Sequence, residues 1–316
     1  MPPRIGIISN PRSSSHRAGG AGLAEAAAAR LPHAAPESRE ALRAALAQFA
    51  ADGVEVLAVH GGDGTLREVL SALPQAWTGP PPAIAPLPAG RTNLAAHTLG
   101  YAAENRREDP TGLRRLLAAA AAERLRRQSR PVLEVSGAGA MPMRGFFFGA
   151  AAFTQAVGLA EGRLHRHGLM DNAVVGMTGV IMAAQALAGR GAFGRALRQG
   201  TEMQVGCDGD AATGGPRFIL LATTLDRLML GLWPFWGTGE GAIHLLDVAA
   251  PPPRLGRGLW SLLRHRPPAL PGWRSRRAGT LRLRLHDAFV LDGETFLPGP
   301  DGIRISATAP LDFVAA

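Results

Sequence analysis

The run Val54–Val59 is long enough for a buried parallel strand, and it passes at once into His60-Gly61-Gly62-Asp63-Gly64-Thr65-Leu66 and a helical pattern over Thr65–Leu73. A strand that turns through a glycine loop straight into a helix restricts the chain to an α/β layer with a mostly parallel sheet. The same order repeats on both sides. Arg4–Ser9 reads as a strand ending at the turn signal Asn10-Pro11, and Glu37–Ala51 as a helix with Ser38 as its N-cap. Ala83–Leu87 is a further strand, followed by a Pro88-Ala89-Gly90 turn and a helix from about Thr92. In such sheets ligands bind at the carboxyl ends of the strands, where these loops fall.

The loop chemistry points to phosphate. Glycines at 61, 62 and 64 let the backbone approach an anion closely, and the helix start at Thr65 aims unpaired N–H groups and a positive dipole end at it. Asp63 among those glycines opposes a bare anion; it makes sense as a ligand if Mg²⁺ lies between. The Pro86–Asn93 turn brings Gly90, Arg91, Thr92 and Asn93 to the same sheet edge, and Asn10-Pro11-Arg12-Ser13-Ser14 adds a third polar loop. Composition narrows the chemistry. All 34 basic residues are arginine, so a Walker A lysine and Schiff-base or pyridoxal chemistry are excluded. A single cysteine, Cys207, excludes an internal disulfide and any multi-thiolate metal site.

A length of 316 residues favours two domains, and the texture changes near residue 129. We expect an α/β domain over 1–128, including an arginine-rich helix Thr111–Arg127, and a β-rich domain over 129–304. Strand-like runs in the second part are Val132–Val135, Gly145–Phe153, Met203–Cys207, Phe218–Thr224, Ala242–Val248, Thr280–His286, Ala288–Leu291 and Ile303–Ala307. Leu281, Leu283 and Leu285 alternate with Arg282 and Arg284, the period of a half-buried strand. This predicts an antiparallel, sandwich-like domain with helical inserts near 154–198 and 256–265.

Asn10-Pro11, then Gly-Gly-Asp-Gly-Thr, then Leu87-Pro88-Ala89-Gly90-x-x-Asn93 resemble the diacylglycerol kinase catalytic-domain family of lipid kinases, which includes sphingosine and ceramide kinases. Phe146–Ala150 resembles a strand of that family, Leu291-Asp292-Gly293-Glu294 resembles its terminal Asp-Gly-Glu, and the closing strands Ile303–Ala307 and Leu311–Val314 fit as well. The resemblance implies a Rossmann-like first domain of the NAD kinase and diacylglycerol kinase kind, with the last strands, about 305–316, packing back on it. It implies transfer of the γ-phosphoryl group from ATP, with Mg²⁺, to a lipid hydroxyl in the interdomain cleft. Asn10, Gly61, Gly62, Asp63, Gly64, Thr65, Gly90, Thr92 and Asn93 would hold the nucleotide, Asp292 would be the general base, and Glu294 would assist or contact metal. Taken alone, Asp292-Gly293 is a hairpin turn more often than a catalyst. The chain departs from the family at Ser14, at Arg91-Thr92-Asn93-Leu94, and at Glu240, which stands near the place of a structural magnesium ligand. Gly-Gly-Asp-Gly-Thr is shared with NAD kinases, so another kinase of that group stays open, as does a non-catalytic lipid- or nucleotide-binding protein.

Between Val248 and His286 no acidic residue occurs, while nine arginines accumulate with Trp260 and Trp273 interleaved. Arginine with tryptophan suits anionic lipid headgroups. The expected partners are a membrane lipid substrate and an anionic membrane surface, with no nucleic acid expected and a homodimer allowed. No targeting segment is visible, and Ala173–Gly189 reads as a buried or interfacial helix, so the expected place is the cytoplasm, peripheral to the inner face of the membrane.

Overall fold

The computed structural model describes residues 2–10, 30–89, 93–100, 111–164, 191–228, 233–264 and 266–316. The expected loop residues Ser13, Ser14, Gly90, Arg91 and Thr92, and the expected helix Ala173–Gly189, lie outside them. The chain divides into two compact units, Met1–Val132 with Thr308–Ala316, and Leu133–Ala307.

The first unit is built on a six-stranded sheet. Strands β1 (Ile5–Ser9), β2 (His33–Ala34), β3 (Val56–Gly61) and β4 (Ala83–Pro88) run parallel in the order β2-β1-β3-β4. All of β1 and β4, and all of β3 but His60, are buried, as expected of strands covered on both faces by helices. Helix α1 (Arg39–Ala51) starts where Ser38 accepts the Ala41 N–H at 3.1 Å, and it buries Leu42, Leu46 and Phe49 along one stripe. Gly6 in β1 leaves room for that stripe, since a Cβ there would lie 3.0 Å from the Phe49 ring. Helix α2 (Asp63–Ala76) buries Leu66, Val69, Leu70 and Leu73. Two short helices follow, α3 (Leu94–Thr98) and α4 (Gly112–Ala121).

The arginine-rich segment departs from the expected helix. Helix α4 stops at Ala121, and β5 (Arg126–Arg130) is an edge strand. It pairs antiparallel with β17 (Leu311–Ala315), which itself lies parallel beside β4. Arg127 meets Asp312 at 2.8 Å and the Arg126 guanidinium grips the Ala316 carbonyl at 3.0 and 3.2 Å. Pairing with a strand from the far end of the chain overrides local helix propensity. It also carries the first unit through Val132, past the expected limit at residue 128.

The second unit is one continuous antiparallel sheet of eleven strands. Its main path runs β15 (Glu294–Phe296), β14 (Phe289–Leu291), β8 (Phe147–Ala151), β10 (Thr213–Thr223), β9 (Thr201–Cys207), β13 (Thr280–Leu285), β16 (Ile303–Ala307), β6 (Leu133–Ser136), β7 (Met143–Gly145). Strands β11 (Ile243–Ala249) and β12 (Trp273–Ala278) branch from β10. One buried cluster collects Leu133, Phe148, Val205, Leu220, Leu245, Leu283, Phe289 and Ile305, so the sheet curls around a single core rather than splitting into two stacked sheets. Gly145–Phe153, expected as one strand, is divided. Ala151 takes a left-handed φ of 61°, and helix α5 (Ala152–Leu164) begins directly after it, with the Phe153 ring over Gly149. Helices α6 (Gly191–Gln199) and α7 (Leu255–Leu263) complete the unit. Among the described residues no helix is long and apolar enough to cross a membrane.

Candidate functional site

The carboxyl ends of β1, β3 and β4 are stitched together by short hydrogen bonds. The Asn10 N–H donates to the His60 carbonyl at 3.2 Å, and the Ala89 N–H donates to the Gly61 carbonyl at 3.0 Å. Asn10 Nδ2 donates to Thr65 Oγ1 at 3.0 Å, which brings Asn10 against the glycine loop. Thr65 sits directly over Gly61. A Cβ at residue 61 would lie 2.5 Å from Thr65 Cβ and Oγ1, so glycine is required here by close approach.

Helix α2 begins earlier than its sequence pattern suggests. Gly62 is the N-cap, in extended conformation and without a side chain to close the helix end, so Asp63, Gly64 and Thr65 form the first helical turn. The first helical backbone bond is Leu66 N–H to Gly62 carbonyl at 3.1 Å, so the amides of that first turn have no carbonyl acceptor within the helix. Such a turn, bare of a capping side chain, is suited to phosphate oxygens.

Asp63 reaches the amides at the start of α3. Its Oδ2 accepts the Leu94 N–H at 2.9 Å and its Oδ1 accepts the Ala95 N–H at 3.1 Å, so it caps α3. The residue keeps some exposed surface, yet its carboxyl group is sunk. Burial pushes that carboxyl above its ordinary value, against the pull of the Leu94 and Ala95 amides, the His97 ring and the Asn93 amide. Asn93 itself is buried at the α3 N-cap in the left-handed region, φ 50°, a conformation that asparagine tolerates better than most residues. Asp63 thus ties the start of α3 to the first turn of α2.

In the second unit, Asp292-Gly293 is a two-residue hairpin loop joining β14 and β15, with φ 47° and 83° and Leu291 paired with Glu294. Both positive φ values mark the type I′ geometry that Asp-Gly favours. The Asp292 carboxylate turns back on β8: Oδ1 accepts the Phe146 and Phe147 N–H groups at 3.0 and 2.9 Å, and Oδ2 shares the Phe146 donor at 3.1 Å. A Cβ at Gly145 would collide with Oδ2, so the glycine before Phe146 exists to admit this carboxylate. Glu294 is exposed on β15. Glu240 is exposed in the turn before β11.

Among the described residues no three His, Cys, Asp or Glu side chains gather in a way that could hold a metal ion. Both Asp63 carboxylate oxygens accept α3 amides, and Glu240 lies exposed in the turn before β11. Magnesium that travels with a nucleotide draws its oxygens mainly from phosphate and water, and belongs to the substrate.

Comparison with known proteins agrees with this architecture. Two solved structures of Bacillus anthracis str. Sterne proteins provisionally described as diacylglycerol kinases match with TM-scores of 0.68 and 0.63 at 13% and 14% identity. A third, described as a diacylglycerol kinase of the same organism, matches with a TM-score of 0.59 at 12% identity. Each match covers 99% of this chain and 97% of the other, and at such identity it establishes the fold. No protein of curated function matches the sequence. The family described as Diacylglycerol kinase catalytic domain matches residues 4–131, the stretch holding the three stitched strand ends.

Proposed function

We propose that this protein is a lipid kinase that transfers the γ-phosphoryl group of Mg-ATP to the hydroxyl of a membrane lipid, with diacylglycerol first and ceramide or a sphingoid base second. The observation that carries the reading is the Asn10–Thr65–Gly61 cluster at the open N-terminus of α2, inside the segment that matches the family. In this reading the Gly61–Thr65 backbone and Asn10 receive the phosphates, and Asn93, Gly90 and Thr92 form the neighbouring wall. The lipid hydroxyl oxygen attacks the γ-phosphorus, the bond to the β-phosphate oxygen breaks, and ADP leaves. Asp292 takes the hydroxyl proton, with Glu294 assisting, since phosphoryl transfer needs positioning, charge neutralisation and one proton acceptor. Its action belongs at the inner face of the cytoplasmic membrane, where such acceptors lie.

The test is ATP-dependent phosphorylation of diacylglycerol and of ceramide in mixed micelles, comparing wild type with Asp292→Asn and Asn10→Ala. Asp292 also anchors the Phe146 and Phe147 amides, so thermal melts accompany the assay. Loss of turnover with an unchanged melt and retained ATP binding supports the base role. ATP binding by wild type with no phosphorylation of either lipid supports a nucleotide-binding protein instead. Failure to bind ATP at all overturns the proposal.

A further inference from the structure

Among the described residues four large hydrophobic side chains are exposed, and two of them, Trp260 at 57% and Leu263 at 65%, stand three residues apart on α7. The opposite face of α7 is fixed. Leu255, Gly258 and Leu262 are buried, and a Cβ at Gly258 would lie 2.2 Å from the Trp273 indole, whose Nε1 donates to the Pro253 carbonyl at 3.0 Å. The helix therefore cannot roll to hide Trp260.

Its outer face has a definite pattern. Gly256, Arg257, Trp260, Leu263 and Arg264 are the exposed positions, and at about 100° per residue they occupy roughly a third of the circumference. Trp260 and Leu263, with half-buried Leu259 beside them, make an apolar strip, and Arg257 and Arg264 run along its flank. The Arg264 guanidinium lies 4.7 Å from the Trp260 ring centroid, which holds the indole and the charge together. Arg254 and Arg266 extend the charge at the two ends of the helix, and among the described residues none of these four arginines pairs with a carboxylate. The sequence supplies no acidic residue between Asp247 and Asp287.

We infer that the outer face of α7 is a membrane-docking element that seats Trp260 and Leu263 among the headgroups of an anionic bilayer, with Arg257 and Arg264 on the lipid phosphates. A bare polyanion would engage the arginines and leave Leu263 without purpose. An anionic lipid surface uses both strips, because it offers apolar depth beneath negative charge. The inference deepens the lipid-kinase reading by naming the surface that meets the substrate's membrane, and it rests on that reading for its biological purpose.

The experiment is cosedimentation of the full chain, without nucleotide, with vesicles of phosphatidylcholine alone and of phosphatidylcholine and phosphatidylglycerol in equal parts. Wild type is expected to partition onto the anionic vesicles at least about ten-fold more strongly, less so as salt is raised. Trp260→Ser with Leu263→Ser should lower that partition about ten-fold or more with an unchanged thermal melt, because both side chains are already exposed. Arg257→Gln with Arg264→Gln should lower it similarly and flatten the salt dependence. Wild type that ignores anionic vesicles, or a Trp260/Leu263 variant that binds like wild type, overturns the inference. So does arginine-dependent capture of a single-stranded oligonucleotide without vesicle binding. The two readings fail separately: vesicle binding with no turnover in micelles removes the kinase and leaves the docking face, and turnover in micelles with no vesicle binding does the reverse.

Discussion

Arg67 carries a guanidinium into the interior of the first unit at 2% exposure, and Glu68 meets it at 2.9 Å while also reaching Arg39 at 2.8 Å. Burial alone would raise the Glu68 carboxyl, but hydrogen bonds from Arg39 and Arg67 hold it below its usual value of 4.5. A carboxylate depressed in the folded state contributes stability that is complete above its unfolded value and is lost as pH falls through the folded one. Glu68→Gln is therefore expected to destabilise by about 1 kcal/mol at neutral pH, held to that by solvent on the Glu68 side, with the gap to wild type closing in acid. Urea melts of both proteins across that range check it. Asp63 has the opposite sign: its raised carboxyl makes the folded state lose stability as pH rises above 3.8 through the folded value. Asp63→Ala leaves the Leu94 and Ala95 amides without their acceptor. It is expected to cost about 1 kcal/mol and to weaken ADP binding in calorimetry. The contrast between Asp63 and Asp292 shows what a sequence can carry at this scale. Asp292-Gly293 is readable as a hairpin because the type I′ turn is made by the two residues themselves. The amides that Asp63 caps lie 31 and 32 residues away, so no local spacing announces them.

At the scale of elements, the strand–loop–helix order of the first unit was legible because burial on both faces and glycine turns are written into short contiguous stretches. Helix α2 starts two residues before the Thr65 that its pattern suggests, because Asp63 and the poor helix former Gly64 still take helical backbone there. Strands β5 and β12 leave little signal in the sequence for a related reason. Arg-Arg-Gln-Ser-Arg and Trp-Arg-Ser-Arg-Arg-Ala carry little apolar alternation, and each is held by the neighbour it pairs with. The junction between β3 and α2 gives a sharp test. Gly61→Ala pushes a methyl into Thr65, and we expect a loss of about 1–3 kcal/mol in stability together with weaker nucleotide binding as Asn10 loses its grip on Thr65. Calorimetric titration with ATP beside a thermal melt separates the two effects. A Gly61→Ala protein that binds ATP as wild type does would remove the glycine loop from the site.

At the scale of the molecule, the first sheet is not made from one end of the chain. Strand β17 lies between β4 and β5, so the unit that holds the glycine loops borrows residues 308–316. The expectation that the closing strands return to the first domain came from family resemblance; composition alone could not say which sheet a short strand such as Leu311–Ala315 would join. In the structure only β17 does so, while β16 stays in the second unit. Removing 308–316 should expose the β4 edge and leave β5 without its partner. Limited proteolysis of that truncated chain should then cut first within 2–132 and spare 133–307. On a ribosome the consequence is one of timing. The β4 strand leaves the exit tunnel long before β17 is synthesised, so the first unit waits as a sheet with an open edge while the second is made. Completion of the first unit's sheet is deferred until 308–316 have been translated.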